Sequence, residues 1–540
     1  MCMHKWILQF NAFYSQVVVT NKGTNQTMEP KSVAISLVEK NSFETEHTSG
    51  IQISKDWILA PGTLLKSKIE RDKNLLDFIS ALPSGKMTKS LIREENLQVQ
   101  VQSCAMTSES SREITEIKST SGSIAGLWSC PLLADSLANL YPSKSLNENF
   151  ERLNKLLLPI FLVVRLDRED AKVDNVNECS VTDICEILSH FFDSHLSGEN
   201  YKRGDDVQVE STPFGNPVFM NSVSKGIVSN VLGVNKCIML TDANAIPGCE
   251  GGLVYATAEN GSRVIYGMVI APMTLCRSEW VNYTFVACLL PCLKKLLRKQ
   301  EPKNNFLMIN RQNTDITDLL DKSVVLIYCG SEWGSGILLD RDTGTILTCS
   351  HVIDQAPNRR IKVVFSHKDT SHGSKKSQWA KLIYRTPKGV PYDIAVIKVD
   401  PLEISNYMQP LKIRNTAAVK GENVISAGFP FLYTNLPTIT HGNISNVSSH
   451  MLQTTCYVQS GTSGGPIIRP NTGELLGIIV CNVITFNTLY PRINMAIPAT
   501  IFSDPINEYI KTDRVQVLDT LMTQDKDAIR MWNCFLHSKI

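Results

Sequence analysis

The sequence predicts a chain dominated by β-structure, with two β-rich halves and a helix close to the C-terminus. In the second half, short segments rich in Val and Ile are separated by Gly, Asp, Asn and Pro, which is typical of a β-sandwich or barrel. The clearest segments are Val324–Cys329, Gly336–Leu339, Thr345–Thr348, Ile361–Phe365, Ile394–Val399, Val424–Ala427 and Leu476–Val480. The helix is expected from about Ala499 to Thr512, where apolar residues recur at roughly helical spacing.

Length and composition restrict the class of protein. The chain has 540 residues, of which 43 % are hydrophobic and 20 % charged, so it can bury several cores. A net charge of +2 argues against a dedicated nucleic-acid binder, which needs a basic surplus. No apolar run approaches the ~20 residues of a membrane-spanning helix.

The 15 cysteines are odd in number and dispersed along the chain, which favours reduced thiols over a disulfide framework. Cys288 and Cys292 are spaced to share a helix face, but no matching Cys or His pair lies nearby in the sequence. Buried thiols are therefore expected there rather than a zinc site.

Changes in composition divide the chain into predicted units. Residues 301–317 form a predicted linker, which separates a first half, 1–300, from a second half, 318–512. Residues 513–540 are expected to form a C-terminal tail. Within the first half, the region near 105–123 is dense in Ser, Thr and Glu and is expected to be a flexible surface loop.

Four short matches in the same order suggest that the first half is an altered copy of the second. Ser49–Ile51 corresponds to Ser335–Ile337, Gly226–Val231 to Gly442–Val447, Gly248–Gly252 to Gly461–Gly465, and Gly267–Ile270 to Gly477–Val480. The alternative is that unrelated β proteins share glycine-rich turns.

Three residues of the second half have the chemistry of a nucleophilic hydrolase. Ser463 lies in a Gly-Thr-Ser-Gly-Gly sequence, whose glycines let the Gly461 and Ser463 amides point at an oxyanion. His351 supplies a base, and Asp393 supplies a carboxylate that orients the base. Taken singly, each is also compatible with a turn or surface position. Their order, His-Asp-Ser, is that of the chymotrypsin-like arrangement, in which two β-barrels meet at the site.

Around these residues the sequence resembles the trypsin-like proteases of the HtrA and Deg type. The resemblance is carried by Gly334–Leu338, Thr345–Ile353, Asp393–Val396, Gln453–Thr454 and Gly461–Pro466, and it extends over about Lys322 to Lys511. No PDZ domain is expected after it. A large first half followed by one protease region without a PDZ domain resembles the peroxisomal leader-peptide-processing proteases, which are trypsin domain-containing in animals and glyoxysomal Deg-type in plants.

This resemblance implies a serine endopeptidase that processes leader-bearing enzymes of the peroxisome matrix. The sequence ends in Ser538, Lys539 and Ile540, which is similar to the Ser-Lys-Leu signal read by the peroxisomal import receptor. No cofactor or metal is implied. A general quality-control protease of the HtrA kind and a non-catalytic protein-binding scaffold are the alternatives, and homo-oligomerisation stays open.

Substrate preference is partly implied by the same resemblance. In chymotrypsin-like proteases the residue six before the serine lies at the base of the pocket for the side chain preceding the cut, and here that residue is Tyr457. Because Tyr457 carries no acid for Arg or Lys, trypsin-like specificity is not expected, and a pocket for a small or thiol side chain is compatible. The family cuts after Cys and also cuts itself, and Cys104–Ala105 resembles such a self-cleavage point. The alternative is an ordinary loop cysteine.

The first half lacks the catalytic residues. Alignment of the two halves places Thr63 at the position of the histidine, Ile160 at that of the aspartate and Glu250 at that of the serine. None of these side chains can perform the triad chemistry. We therefore expect a degenerate protease-like β domain that positions substrate or packs on the second half. Cation binding at Glu250 is a weaker alternative.

Overall fold

A computed structural model describes most of the chain. The described residues are 28–38, 47–89, 97–109, 112–140, 153, 155–167, 179–196, 201–272, 274–276, 279–281, 283–300, 314–356, 360–366, 377–413, 417–430, 434–485 and 488–533. The ending Ser538, Lys539 and Ile540 lies outside these ranges, as do residues 301–313 of the predicted linker.

Two closed six-stranded barrels form the first half. The first barrel contains β1 (Lys31–Leu37), β2 (His47–Ser54), β3 (Trp57–Pro61), β4 (Gln98–Glu109), β5 (Arg112–Ser129) and β6 (Ile160–Leu166). The second contains β7 (Asp206–Ser211), β8 (Ser222–Leu232), β9 (Ile238–Thr241), β10 (Leu253–Thr257), β11 (Arg263–Ala271) and β14 (Thr284–Cys288). A separate hairpin, β12 (Thr274–Cys276) and β13 (Glu279–Val281), precedes β14.

The second half also contains two closed six-stranded barrels. The first consists of β15 (Val324–Cys329), β16 (Glu332–Asp340), β17 (Thr345–Thr348), β18 (Ile361–Phe365), β19 (Ser377–Arg385) and β20 (Ala395–Lys398). The second consists of β21 (Asn423–Gly428), β22 (Thr438–Val447), β23 (Leu452–Thr454), β24 (Pro466–Ile468), β25 (Leu475–Thr485) and β26 (Thr488–Pro498). The prediction of a chain dominated by β-structure is confirmed.

The helices surround the barrels or connect them. They are α1 (Lys66–Arg71), α2 (Lys73–Ser80), α3 (Pro131–Leu140), α4 (Val181–His195), α5 (Leu289–Leu297), α6 (Thr314–Ser323), α7 (Ala499–Thr512) and α8 (Lys526–Asn533). The C-terminal helix predicted from Ala499 to Thr512 is confirmed as α7, which buries Phe502, Ile506 and Tyr509. None of the helices in the described part of the chain has the length and apolar character needed to cross a bilayer.

The two halves have the same strand order. The first barrels run β1-β2-β3-β6-β5-β4 and β15-β16-β17-β20-β19-β18. The second barrels run β7-β8-β9-β14-β11-β10 and β21-β22-β23-β26-β25-β24, so the hairpin β12-β13 is an insertion. This identity of topology confirms the predicted protease-like β fold of the first half.

Two segments differ from their predicted form. Most of residues 105–123, expected to be a flexible loop, lie in a hairpin in which β4 and β5 pair from Gln98↔Ser123 to Glu109↔Arg112. A composition rich in Ser, Thr and Glu indicates solvent contact, but the β-branched residues of this segment also favour strands. Part of the predicted tail, 513–533, packs on the second half and buries Leu518, Leu521 and Trp532. These few apolar residues are too sparse to reveal the packing from sequence.

Candidate active site

Strand register brings His351 and Asp393 together. β17 and β20 are antiparallel neighbours in which Thr348 lies opposite Ala395. The chain therefore leaves β17 beside the point where it enters β20, with His351 just after the first strand and Asp393 just before the second. His351 Nδ1 lies 2.8 Å from Asp393 Oδ2, and the His351 amide donates to Asp393 Oδ1 at 3.0 Å. Both carboxylate oxygens of the buried Asp393 thus hold the histidine.

Ser463 lies on the loop that leads into β24 of the second barrel. Its side chain is buried, and its hydroxyl donates to the Val480 carbonyl at 3.0 Å rather than to His351. The following residue, Gly464, approaches the end of β17 so closely that a Cβ there would lie 2.5 Å from Thr348 Oγ1. The serine loop therefore packs against the strand end from which His351 emerges.

Ser335 on β16 joins the serine loop to the other barrel. Its amide donates to the Ser463 carbonyl and its hydroxyl to the Gly461 carbonyl, both at 2.8 Å. The same hydroxyl accepts a hydrogen bond from the Phe429 amide at 2.9 Å. The sequence around Ser335 indicates no such role, because its partners lie about a hundred residues away.

Gly461 has a backbone conformation that favours glycine. Its φ is +91°, in the left-handed region. A Cβ would lie 2.2 Å from Trp333 Nε1 and 2.4 Å from the Phe429 carbonyl oxygen. No described residue accepts a hydrogen bond from the Gly461 or Ser463 amide. The Gly461 and Ser463 amides therefore remain the predicted oxyanion donors.

Cys349 lies beside the same residues and was missed by sequence analysis. Its sulfur, a ring nitrogen of His351 and a carboxylate oxygen of Asp393 all lie within 4.8 Å of one another. The thiol donates to the Ile479 carbonyl at 3.2 Å. Cys349 is only two residues before His351 in the chain, and His351 is hydrogen-bonded to Asp393, so the cluster does not by itself indicate a metal site.

The sequence of this chain is similar to those of known proteases. Residues 334–478, which include His351, Asp393 and Ser463, match the trypsin-like peptidase domain. The second half carries a trypsin-like domain. The chain is 32 % identical over 335 residues to the peroxisomal leader peptide-processing protease of Mus musculus, and 30 % identical over 334 residues to that of Homo sapiens. It is also 28 % identical over 155 residues to the periplasmic serine endoprotease DegP of Escherichia coli.

The alignments cover different shares of this chain and of the relatives. Each peroxisomal alignment covers 57 % of this chain and 56 % of the relative, so the chain spans little more than half the length of these relatives. The DegP alignment covers 27 % of this chain and 29 % of the relative. The chain therefore resembles the peroxisomal leader peptide-processing proteases over more than its trypsin-like domain.

The first half retains the scaffold of the serine loop. The Ser49 amide donates to the Glu250 carbonyl at 2.7 Å, and the Ser49 hydroxyl donates to the Gly248 carbonyl at 2.9 Å. This hydroxyl also accepts from the Thr212 amide at 2.9 Å. Gly248 has a φ of +94°, close to that of Gly461 in the trypsin-like domain. The loop conformation is thus shared by the two halves.

The chemistry of the first-half loop is different. The Glu250 carboxylate accepts a hydrogen bond from the Gly248 amide at 2.7 Å. The Gly248 amide corresponds to the Gly461 amide of the second half. The Glu250 carboxylate therefore occupies the first-half position that corresponds to the predicted oxyanion site. Ala60 lies opposite Leu162 in the register that pairs β3 with β6, which places Thr63 and Ile160 at the histidine and aspartate positions. Thr63, Ile160 and Glu250 therefore do not make up a His-Asp-Ser triad.

Tyr457, the residue predicted at the base of the substrate pocket, contacts the first half. It is 5 % exposed, and its hydroxyl donates to Asn244 Oδ1 at 3.0 Å. The Arg492 guanidinium lies 4.2 Å from the centre of its ring, and the Tyr283 ring lies 6.1 Å away. Asn244 and Arg492 are not predictable from the sequence, since nothing in the motifs indicates that the two halves meet here.

Cys104 lies in β4, opposite Ile117 of β5. Burial raises the pKa of its thiol, and nearby Lys31 opposes the shift. β1 pairs with β4 only from Leu37↔Val99 to Ala34↔Gln102. The Cys104–Ala105 bond therefore lies where the hairpin extends beyond its pairing with β1.

Proposed function

We propose that the chain is a serine endopeptidase in which Ser463 is the nucleophile, His351 the general base and Asp393 the group that orients the base. The observation that carries this proposal is the contact of 2.8 Å between His351 Nδ1 and the buried Asp393 Oδ2. This contact leaves Nε2 as the ring nitrogen that serves the serine. The match of residues 334–478 to the trypsin-like peptidase domain supports the same assignment.

The reaction follows from these positions. Ser463 Oγ exchanges its Val480 partner for His351 Nε2 and attacks the scissile carbonyl carbon as Nε2 takes its proton. The Gly461 and Ser463 amides stabilise the oxyanion, and loss of one such donor costs about 10²–10³ in rate. His351 then protonates the leaving amine. Water, deprotonated by His351, releases the acyl group and restores the Ser463 hydroxyl.

The proposed substrates are leader-bearing enzymes of the peroxisome matrix. The support is the similarity to two peroxisomal leader peptide-processing proteases. The ending Ser538, Lys539 and Ile540 is compatible with delivery by the peroxisomal import receptor. At the proposed pocket base, Tyr457 carries no acid and Arg492 is cationic, which disfavours cuts after Lys or Arg.

Self-cleavage at Cys104–Ala105 is part of the same proposal. A protease needs the scissile segment as an extended, unpaired strand, whereas this bond lies in the β4–β5 hairpin. An isolated two-stranded hairpin is marginally stable in water, so the extension beyond β1 can open at modest cost. The residue before this bond is a small thiol, which matches the expected pocket.

A general quality-control protease of the HtrA kind is the second candidate, favoured by the similarity to the DegP endoprotease. The two activities differ in cleavage pattern. Leader processing gives one cut in a folded precursor, whereas quality control gives many cuts in unfolded proteins. A protein-binding scaffold gives none.

Labelling by a fluorophosphonate probe tests the catalytic assignment. We expect labelling of Ser463 in the wild-type chain and none in Ser463→Ala. Combining Glu250→Ser with Ser463→Ala is the matched control, because it places a serine on the equivalent loop without a histidine and should stay unlabelled. Equal labelling of the wild-type and Ser463→Ala chains would show that Ser463 is not the activated nucleophile.

A further inference from the structure

Asn244 and Tyr457 occupy equivalent positions in the two halves. Asn244 lies six residues before Glu250, and Tyr457 lies six residues before Ser463. The surroundings agree with this correspondence. The Asp242 carboxylate accepts from the Ile227 amide at 2.7 Å, and Thr455 Oγ1 accepts from the Asn443 amide at 2.9 Å. The tyrosine-to-asparagine hydrogen bond of 3.0 Å thus joins the same position of two related loops.

The halves meet through equivalent surfaces. β8 packs on β22, its counterpart in the strand order, and Asn230 Nδ2 donates to Thr438 Oγ1 at 2.8 Å across this contact. Contact between equivalent patches is the arrangement of a two-fold symmetric dimer. Here both patches belong to one chain. Tyr457, the residue predicted at the pocket base, and its first-half counterpart Asn244 consequently face each other.

Asp242 fixes this part of the interface. Its buried carboxylate accepts from the Ile227 amide of its own half and from the His441 amide of the trypsin-like domain, each at 2.7 Å. Its carbonyl accepts from the Arg492 guanidinium at 3.0 Å. The same guanidinium covers the ring of Tyr457 at 4.2 Å. First-half groups therefore contact both Tyr457 and Arg492.

We propose that the degenerate half determines the substrate specificity of the trypsin-like domain, with Asn244 and Asp242 as positioning residues for Tyr457 and Arg492. This inference rests on the proposed endopeptidase function. With its hydroxyl held by Asn244, the tyrosine ring stays at the pocket base and limits the depth of the pocket. The guanidinium adds a positive charge beside it. The pocket then accepts a small, uncharged side chain before the cut and rejects both large and basic ones.

A peptide library tests this proposal. In it, the residue before the cut is Cys, Ala, Leu, Phe or Lys, and kcat and KM are measured for the full-length chain. Asn244→Ala removes the acceptor from the first half, whereas Tyr457→Phe removes the donor from the trypsin-like domain. Asn230→Ala is the matched control, because it removes an inter-half hydrogen bond of similar length that involves neither Tyr457 nor Arg492.

In both test variants, we expect the ratio of kcat/KM for Cys over Leu to fall several-fold, up to about tenfold, as one positioning hydrogen bond is lost. The change should appear mainly as a lower KM for Leu peptides, because the released ring no longer limits the depth of the pocket, and the double variant should show little further change. An unchanged ratio in Tyr457→Phe and Asn244→Ala would overturn the proposal, as would an equal shift in Asn230→Ala. If Asn244→Ala does not fold, Tyr457→Phe decides alone. A wild-type chain that cleaves no peptide would instead refute the proposed function.

Discussion

Ser335 and Ser49 hold equivalent loops by the same three hydrogen bonds. Each amide donates to the carbonyl of the third loop residue, and each hydroxyl donates to the carbonyl of the first, at 2.7–2.9 Å. Each hydroxyl also accepts from an amide of a neighbouring segment at 2.9 Å. The third loop residue is Ser463 in one half and Glu250 in the other. The scaffold that aims a nucleophile thus persists in a half where that position carries a carboxylate.

Substituting these two serines distinguishes an effect on stability from an effect on catalysis. Ser335→Ala leaves a buried carbonyl and a buried amide without their partner, and Ser49→Ala leaves a half-buried carbonyl and a buried amide. Each should therefore lower the free energy of unfolding by about 1–3 kcal/mol. Only Ser335→Ala should also lower kcat/KM, by about 10²-fold, because it releases the loop that carries Ser463. Urea unfolding and peptide hydrolysis measure the two effects. Equal activity of the two variants would contradict the role given to Ser335.

Gly461→Ala should remove most activity and destabilise the second half. The added Cβ would collide with Trp333 Nε1 and the Phe429 carbonyl, and the positive φ alone costs about 1–2 kcal/mol. Gly248→Ala is the matched control in the first half, where a Cβ would lie 2.2 Å from the Gly215 amide nitrogen. We expect similar losses of stability in the two variants, with a loss of oxyanion stabilisation only in Gly461→Ala. Full activity of Gly461→Ala would refute the proposed oxyanion site.

Self-cleavage should depend on both the serine and the residue before the cut. Ser463→Ala should keep the Cys104–Ala105 bond intact during incubation, and Cys104→Lys should stop the cut because no acid is available at Tyr457. Gln102→Lys, two residues earlier on the same strand, is the control and should still be cut. Mass spectrometry of the purified chains identifies the termini. Cleavage of Cys104→Lys at the wild-type rate would contradict the assigned pocket.

The inter-half contact at Asp242 should make stability depend on pH. Burial raises the pKa of the Asp242 carboxyl, while hydrogen bonds from the His441 and Ile227 amides oppose this shift. The folded state therefore binds this proton more tightly than the unfolded state. The contribution of the protonated Asp242 carboxyl to the free energy of unfolding is fully present below the ordinary aspartate pKa. It is lost as the pH rises through the raised pKa of the folded state.

Asp242→Asn should remove this part of the pH dependence, although the loss of one acceptor oxygen lowers stability at every pH. The free energy of unfolding, measured in urea over a pH series, should change less steeply with pH in the variant across that window. A slope equal to that of the wild-type chain would show that the carboxyl does not titrate differently in the folded state.

Local motifs predicted much of the site. The candidates His351, Asp393 and Ser463 were identified from short segments, and the structure brings His351 and Asp393 into contact through the β17–β20 register. Residues whose roles depend on packing between distant parts were not predictable. Tyr457 and Asn244 are 213 positions apart, and no motif around either residue indicates that the two are in contact. The β4–β5 hairpin was missed because polar composition indicates exposure rather than the absence of strand pairing.

The proposed cleavage of leader-bearing precursors by Ser463, after a small thiol residue, can be measured directly. Purified wild-type and Ser463→Ala chains would each be incubated with a folded, leader-bearing peroxisomal thiolase precursor, and the fragments analysed by mass spectrometry. We expect a single cut after Cys with the wild-type chain and a loss of cleavage by about 10⁶-fold in the variant. The same fragments from both chains, or an uncut precursor in both, would contradict the account.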